Sequence, residues 1–179
     1  MKTGIALALS LVIGTATMAF AQQHHAGKSP MPMPPPAPKM TKAMWQKMYD
    51  MAETYFNKKD ADKIFSFMAP GATMVMEGKE MSMKDGKAGM KQWFSMMKTL
   101  KCDITVTSAT QNGNMATVKD TFKDMGIMID PKTKKEGKYA GIGMETMTWT
   151  WMNGKWMIKR LVIDSNKMTL NGKPMKGGM

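Results

Sequence analysis

Apolar residues recur at helical spacing in the region from residue 41 to 99. Thr41 is a suitable N-cap for a first helix that runs to about Lys58. A second helix is predicted from Asp60 or Asp62 to Pro70-Gly71, and a third from about Gly86 to Thr99. The predicted buried side of the first helix consists of Met44, Met48, Met51, Tyr55 and Phe56. That of the second helix consists of Ile64, Phe65, Phe67 and Met68, and that of the third of Met90, Trp93, Phe94 and Met97.

After Lys101 the pattern changes to alternation of apolar and polar residues, which predicts four long antiparallel strands. Asn112-Gly113 and Asn153-Gly154 lie between alternating segments, a pattern typical of tight two-residue hairpins. A third turn is expected between Asp130 and Gly137, and a short strand from Ala72 to Met76 precedes the third helix. The chain is therefore predicted to form an α+β domain.

The last hairpin allows its register to be predicted if Asn153 and Gly154 are its loop residues. On one side the facing pairs are Trp151 with Trp156, Trp149 with Ile158, Met147 with Arg160, and Glu145 with Val162. On the other side they are Thr150 with Met157, Thr148 with Lys159, Thr146 with Leu161, and Met144 with Ile163. The apolar side thus changes along the hairpin, for which we expect a strongly twisted sheet covered on different surfaces at its two ends.

The first residues are typical of an export signal. Lys2, an apolar run from Ile5 to Ile13 and the small-residue pattern Ala19-Phe20-Ala21 predict a signal peptide over residues 1–21 and a periplasmic or secreted protein. The apolar run is too short to span a bilayer, so stable membrane insertion is not expected. Residues 22–39 are predicted to be a Pro-rich linker, 40–170 the folded domain and 171–179 a flexible tail.

Composition limits the chemistry of the domain. Cys102 is the single cysteine, so the fold must depend on a packed core and not on a disulfide. The net charge of +12 is almost entirely lysine, with Arg160 the single arginine, which argues against nucleic-acid binding. Methionine occurs 26 times and is expected to occupy positions where leucine is usual.

The element order resembles that of the nuclear transport factor 2-like superfamily, which includes SnoaL-like cyclases and steroid delta-isomerases. The resemblance spans roughly Met40 to Met168 and depends on Asn57-Lys58-Lys59-Asp60-Ala61-Asp62-Lys63-Ile64, on Met68-Ala69-Pro70-Gly71-Ala72-Thr73 and on Asn153-Gly154-Lys155-Trp156-Met157-Ile158. It implies a cone-shaped domain with three N-terminal helices packed on a strongly curved, mainly antiparallel sheet. Because one fold carries many activities, the resemblance does not fix the function.

The steroid isomerases provide a direct test of one activity. By resemblance, their general-base aspartate matches Met76, their first-helix tyrosine matches Ala52, and their second aspartate falls near Thr146 to Thr148. None of these positions carries an acid or a phenol, so that isomerase chemistry is not expected here.

Histidine is absent after His25, so histidine-based nucleophilic catalysis is not expected, and Cys102 is expected to be a buried apolar side chain. Asp120, Glu145 and Asp164 are the candidate catalytic carboxylates. In the predicted register Glu145 and Arg160 are diagonal neighbours, which favours a structural ion pair.

A cone of this kind is expected either to enclose a cavity or to be filled by its own side chains. The candidate ligand-pocket residues are Met48, Tyr55, Trp93, Phe122, Met147, Trp149, Leu161 and Ile163. We therefore expect an exported domain that binds a small hydrophobic ligand or acts as an accessory module, with no cofactor.

Two other functions are left open by the sequence. The first is a cyclase, dehydratase or isomerase that uses a pocket carboxylate. The second is periplasmic copper binding, with His24, His25, Met31, Met33 and Met40 as weak candidate ligands beside Met44, Met48 and Met51. The Thr146, Thr148 and Thr150 strip is a candidate surface for a homodimer.

Overall fold

The structure, a computed structural model, describes residues 35–130 and 133–175. Three helices cover one face of a curved, mostly antiparallel seven-stranded sheet, which confirms the predicted fold class. The strand order is β2-β1-β6-β5-β4-β3, with β7 paired to β6. The elements are α1 Lys42–Asn57, α2 Ala61–Phe65, β1 Met68–Met76, β2 Lys79–Ser82, α3 Met83–Met96, β3 Met97–Asn112, β4 Met115–Ile129, β5 Glu136–Met152, β6 Lys155–Leu170 and β7 Lys173–Pro174.

Helix α1 begins where predicted but buries a different face. The Thr41 side chain accepts a hydrogen bond from the Met44 backbone N–H, as an N-cap does. Trp45 and Tyr49 are 0% and 2% exposed, whereas Met44 and Met51 are 42% and 43% exposed. The prediction was therefore wrong for Met44 and Met51, whereas Met48, Tyr55 and Phe56 are half-buried. Trp45 and Tyr49 take the buried positions because larger aromatic rings bury more apolar surface.

The segment between α1 and α3 contains more strand than predicted. Strand β1 begins at Met68 and pairs in parallel with β6. Its register shifts between Met68 and Thr73, which accommodates Pro70-Gly71 because no regular ladder bond is needed there. Strand β2 was not predicted, and α3 begins at Met83, where the Ser82 side chain accepts a hydrogen bond from Asp85 N–H.

The last hairpin turns at Asn153 and Gly154, as predicted, and both residues have positive φ angles of 53° and 77°. These values suit the type I′ turn that matches the twist of the two strands. The first hairpin instead turns at Gly113 and Asn114, one residue later than predicted, with Asn112 paired to Met115.

Two register shifts in the β5–β6 pair correct the predicted hairpin. Trp149 pairs with Ile158, but Thr148 pairs with Arg160, so Lys159 is an extra residue on β6. This bulge turns Leu161 to the same face as Met147 and Trp149. A second shift leaves Asp164 as an extra residue between the partners of Glu145 and Met144. Bulges, and not twist alone, therefore keep one face of the hairpin apolar.

The interior is built mainly from aromatic rings and methionines. The Trp45 ring lies 5.3 Å from the ring centroids of both Trp149 and Trp156. A second cluster, near the other end of the sheet, contains Trp93, Phe94, Met97, Met128 and Tyr139. The space between the helices and the sheet lies between these two groups of side chains.

The last residues of the predicted linker have no helix or strand but are hydrogen-bonded to the domain. Ala37 N–H donates to Asn114 Oδ1 at 3.1 Å, and Trp151 Nε1 donates to the Pro35 carbonyl at 3.1 Å. At the other end, β7 extends the paired chain to Pro174, beyond the predicted domain end at residue 170. The predicted signal peptide and residues 22–34 lie outside the described residues.

The outer face of the sheet carries the Thr146, Thr148 and Thr150 strip, whose residues are half-buried. Met125 of β4 and Ile142 and Met144 of β5 are about half exposed. Dimerisation through this face stays a prediction. Within residues 35–130 and 133–175, no helix combines the length and apolar character needed to cross a bilayer.

Candidate functional site

A cavity of about 250 Å³ lies between the three helices and the sheet. Its wall is largely apolar and is formed by residues from all three helices and from β1 to β6. The structure places seven of the eight predicted pocket residues on this wall, namely Met48, Trp93, Phe122, Met147, Trp149, Leu161 and Ile163. Tyr55 packs instead against Phe67, with ring centroids 6.2 Å apart, and does not line the cavity.

Three carboxyl side chains lie on the inner face of the sheet beside this cavity. Asp120 and Asp124 belong to β4, and Asp120 is the direct cross-strand partner of Glu145 on β5. Asp120 is 2% exposed and Asp124 6% exposed, while Glu145 is half-buried. Asp124 and Glu145 line the cavity itself. We call these three residues the carboxylate cluster.

Hydrogen bonding leaves part of the carboxylate cluster unsatisfied. Neither side-chain oxygen of Asp120 has a hydrogen-bond partner among the described residues, and neither has Oδ1 of Asp124. The hydroxyl of Tyr49 lies near Asp120 but also lacks a partner in this part of the chain. Buried polar atoms are usually paired, so unpaired carboxyl oxygens are a feature that requires an explanation.

Burial shifts the ionisation of all three acids in the same direction. It raises the pKa of the Asp120 carboxyl to about 7, with a smaller lowering effect from Tyr49 and a raising effect from Asp164. Burial also raises the pKa of Asp124 to about 6, against a smaller effect of the Cys102 thiol. Burial, then the charges of Asp120, Asp124 and Asp164, raises the pKa of Glu145 well above its usual range. The cluster is therefore partly protonated at neutral pH.

The weak acids around the cluster stay neutral. Burial, followed by the charge of Asp120, raises the pKa of Tyr49. Burial, followed by the charge of Asp124, raises the pKa of both Cys102 and Tyr139. Cys102 is 1% exposed, and a buried thiol with a raised pKa is a poor nucleophile.

Two predicted roles of charged residues were wrong. Arg160 pairs with Thr148 across the sheet, and its Nη1 lies 3.3 Å from Glu80 Oε2, so it is not the partner of Glu145. The bulge at Lys159 causes this difference, because it shifts Arg160 by one position. Asp164 is exposed and accepts a hydrogen bond of 2.6 Å from the Thr146 hydroxyl, so it does not line the cavity.

Comparisons of the sequence find no relative, whereas comparisons of the structure establish the fold. No protein-family model matches the sequence, and no curated protein is similar to it at a significant level. A predicted scytalone dehydratase from Novosphingobium aromaticivorans superposes with a TM-score of 0.60 at 10% identity, covering 75% of this chain and 93% of its own. LinA, named as a hexachlorocyclohexane dehydrochlorinase, gives 0.56 at 13% identity, with 76% and 90% covered.

The domain has the nuclear transport factor 2-like fold. A protein from Kribbella flavida is similar in the same way, with a TM-score of 0.55 at 11% identity over 70% of this chain and 91% of that one. At these identities the likeness establishes the fold and leaves the activity to be argued from the residues of this cone.

The positions of this nuclear transport factor 2-like cone that were matched by resemblance to the catalytic residues of the steroid isomerases place apolar side chains on the cavity wall. Met76 and Ala52 both lie on the cavity wall, and Met147 is the wall residue within the Thr146–Thr148 stretch. The acids of this cone come instead from the middle of β4 and β5. Asp120 and Glu145 were recognised from the sequence. Asp124 was missed, although it continues the inward alternation of Val118, Asp120 and Phe122.

The candidate copper ligands do not form a site in the part of the cone that the structure describes. His24, His25, Met31 and Met33 lie outside it, and Met40 packs against the core. Met48 lines the cavity, while Met44 and Met51 are exposed. Within residues 35–130 and 133–175, no group of three or more His, Cys, Asp or Glu side chains is arranged to hold a metal ion.

Proposed function

We propose that this domain binds a small, largely apolar molecule inside its cone. The observation that supports the proposal is the cavity of about 250 Å³ between the two aromatic clusters. This volume corresponds to about eight water molecules at roughly 30 Å³ each, which suits a single aromatic ring with a short side chain. Methionine and aromatic walls adapt well to such a ligand.

The proposal is supported by the way in which the wall is built. Met48 and Ala52 of α1, Met90 and Trp93 of α3, and Trp149 of β5 all present side chains to the cavity. A cone filled by its own side chains would leave no such space. Two proteins of similar fold carry the names scytalone dehydratase and hexachlorocyclohexane dehydrochlorinase, which is consistent with a small-molecule site in a cone of this shape.

Methyl-labelled methionine provides a direct test, because methionines lie both inside and outside the cone. On titration with 2-phenylethanol, the methyl signals of Met48, Met74 and Met147 on the wall should shift. The signals of Met44, Met125 and Met144, which are exposed, should not. Equal shifts of both groups, or none in either, would contradict binding inside the cone.

A blocking variant makes the test specific. Ala52→Phe adds a ring at the cavity wall and should abolish the shifts of Met74 and Met147. Met44→Phe places the same ring on the exposed side of the same helix and should leave binding unchanged. If Ala52→Phe folded and still bound 2-phenylethanol with unchanged affinity, the ligand would not occupy this cavity.

A second function, favoured by the Asp120–Glu145 pair, is acid–base catalysis on the bound molecule. Glu145 lines the cavity and can exchange a proton with the bound molecule, and Asp120, its cross-strand neighbour with a raised pKa, can exchange a proton with Glu145. A cyclase, dehydratase or isomerase would use these carboxyl groups in this way. Native mass spectrometry of the protein purified from its own host would identify a bound ligand. If the domain is an enzyme, it should convert this ligand, and a Glu145→Gln variant should convert it much more slowly. If the domain is a binding module, it should leave the ligand unchanged.

We also propose that the protein is exported, on the basis of the charge, apolar run and Ala19-Phe20-Ala21 pattern at its start. Intact mass and N-terminal sequencing of the protein from fractionated cells test this. A mature chain that begins at Gln22 in the periplasm or medium is expected. A full-length chain in the cytoplasm would contradict export.

A further inference from the structure

The carboxylate cluster has no cationic partner among the residues that the structure describes. The ion pairs formed among the described residues involve Asp62, Asp103, Glu80 and Glu136, all on the outside of the domain. None involves Asp120, Asp124 or Glu145. The single arginine, Arg160, contacts Glu80 at 3.3 Å and does not compensate the cluster. The cone therefore has an acidic group of side chains for which residues 35–130 and 133–175 supply no counter-charge.

One member of the cluster points to a ligand independently of the cluster itself. Asp124 is 6% exposed, lines the cavity, and has an oxygen without a hydrogen-bond partner in the described part of the domain. Glu145 lines the same cavity, and Asp120 lies behind it as its cross-strand neighbour. Buried charges are normally paired, and no described residue forms an ion pair with Asp124 or Glu145, so we expect their counter-charge to come from the cavity.

We propose that the occupant of the cone is a small organic cation, an ammonium group on an aromatic or alkyl body, whose N–H groups donate to Asp124 and Glu145. This inference rests on the proposed small-molecule binding and specifies the chemical class of the ligand. The apolar body lies against Met147, Trp149 and the neighbouring wall, and the charged end reaches the cluster. Charge-assisted hydrogen bonds are about twice as strong as neutral ones, which makes the ammonium group the feature that is recognised.

The other ligand classes fit this site less well. An anion would lie beside three acids and would be repelled by any that is ionised. A neutral alcohol could donate one hydrogen bond but would gain nothing from the charge of the cluster. A metal ion is disfavoured because no metal-holding group of side chains is found in the described residues. An ammonium group is further favoured by the ring faces of Trp93, Tyr139 and Trp149 on the wall.

Proton binding should be coupled to ligand binding. An ammonium ion selects the ionised form of the cluster, so its affinity should rise as pH increases through the range in which Asp124 and Asp120 ionise, about 6 to about 7. The other titratable groups that face the cluster are Tyr49 of α1, Cys102 of β3, Tyr139 of β5 and Asp164 of β6. The first three stay neutral in this range because burial raises their pKa values, and Asp164 is exposed.

The positive net charge helps to distinguish cation binding at the buried cluster from cation binding to acids on the surface. The whole chain has a formal net charge of +12, so a small cation is not attracted to the surface in general. Attraction to exposed acids would weaken strongly with salt, because the screening length is about 8 Å at physiological ionic strength. Binding to a buried cluster should change little with added salt.

Three ligands with the same aromatic body provide the test: 2-phenylethylammonium, 2-phenylethanol and phenylacetate, titrated by calorimetry and methyl NMR. At about pH 8 the cation should bind at least about tenfold more tightly than the alcohol, and phenylacetate should bind most weakly. At about pH 5 the preference for the cation should fall about tenfold while the affinity of the alcohol stays constant. This comparison needs no variant.

Isosteric variants assign the effect to the cluster. Asp124→Asn and Glu145→Gln should each lower the affinity for 2-phenylethylammonium by about tenfold and leave that for 2-phenylethanol unchanged. The controls are Asp103→Asn and Glu136→Gln, acids in β3 and β5 that pair with Lys101 and Lys98 outside the cone. Thermal unfolding of each variant first establishes that it is folded.

The possible outcomes separate the two proposals. Equal binding of the cation and the alcohol, or tighter binding of phenylacetate, would overturn the organic-cation proposal and leave small-molecule binding intact. Binding of none of the three ligands at any pH would overturn both. A cation preference that persisted in Asp124→Asn and Glu145→Gln would place the cation elsewhere and would also overturn the proposal.

Discussion

At the scale of single residues, large aromatic side chains determine the core and burial determines the chemistry. Trp45 is fully buried between Trp149 and Trp156, although Met44 beside it in the sequence appeared equally suitable for the core. Methionines at residues 44, 48 and 51 and the series Trp45, Tyr49, Ala52 and Phe56 both have helical spacing. In a methionine-rich helix the pattern alone does not decide which face is buried, because both faces are apolar.

Trp45→Ala should lower the free energy of unfolding by about 3–5 kcal/mol, because it leaves a cavity beside the indole rings of Trp149 and Trp156. Met44→Ala, on the exposed side of the same helix, should change it by less than about 1 kcal/mol. Urea unfolding of the two variants measures this difference. Similar losses in both variants would contradict the observed helix face.

Asp120→Asn tests the cost of the buried acid. At about pH 8, where Asp120 is largely ionised, the amide should raise the free energy of unfolding by about 1–2 kcal/mol. At about pH 5, where this carboxyl is protonated in the folded protein but still ionised in the unfolded chain, the gain should be smaller. Asp103→Asn, whose carboxylate lies 3.0 Å from Lys101 Nζ near the surface, serves as the control and should give no gain at either pH. A loss of stability in Asp120→Asn at about pH 8 would show that the ionised carboxylate is stabilised by the fold.

At the scale of elements, the helices and hairpins could be predicted because their determinants are local. Capping by Thr41 and the turn at Asn153-Gly154 depend on neighbouring residues and were predicted correctly. The bulges at Lys159 and Asp164 could not be predicted, because they are set by closure of a curved sheet over its core. Because the bulge at Lys159 was missed, Glu145 and Arg160 were wrongly predicted to pair. Asp124 was also missed, although the alternation of inward residues along β4 could have predicted it.

Deletion of Lys159 should disrupt the core much more than its substitution. Without the extra residue Arg160 would still face Thr148 and Leu161 would still face Met147, but the strand would lose the bend that a bulge introduces, and the sheet would curve less around the core. We expect the deletion to lower the melting temperature by more than about 10 °C, and Lys159→Ala, which keeps the bulge, to change it by less than about 3 °C. Circular dichroism melting curves measure both. A deletion variant as stable as the parent would show that the bulge is not required.

At the scale of the whole molecule, the fold supports a hollow acidic interior inside a basic exterior. Structural likeness to a solved protein extends over 75% of the chain at a TM-score of 0.60, and this likeness establishes the fold. The contents of the cone are specific to this sequence, since the positions matched to the steroid isomerases are apolar and three acids stand on β4 and β5. Function must therefore be argued from these acids and not from the fold.

Stability should fall as pH rises through neutrality. The folded pKa values of Asp120 and Asp124, about 7 and about 6, lie above the usual value of 3.8, so the folded protein binds more protons than the unfolded chain between these limits. The free energy of unfolding should therefore be about 2 kcal/mol lower at about pH 8 than at about pH 5. Urea unfolding at the two pH values measures it, and Asp120→Asn should flatten the dependence. Greater stability at about pH 8 would contradict the account.

The central claim, that burial in the cone raises the pKa values of its acids towards neutrality, is tested most directly by a carbon-13 NMR titration of the side-chain carboxyl groups. Asp120→Asn, Asp124→Asn and Glu145→Gln assign the three signals. The account predicts midpoints of about 7 for Asp120 and about 6 for Asp124, with Glu145 well above its usual range. Midpoints for all three near the ordinary carboxyl value of about 4 would contradict it.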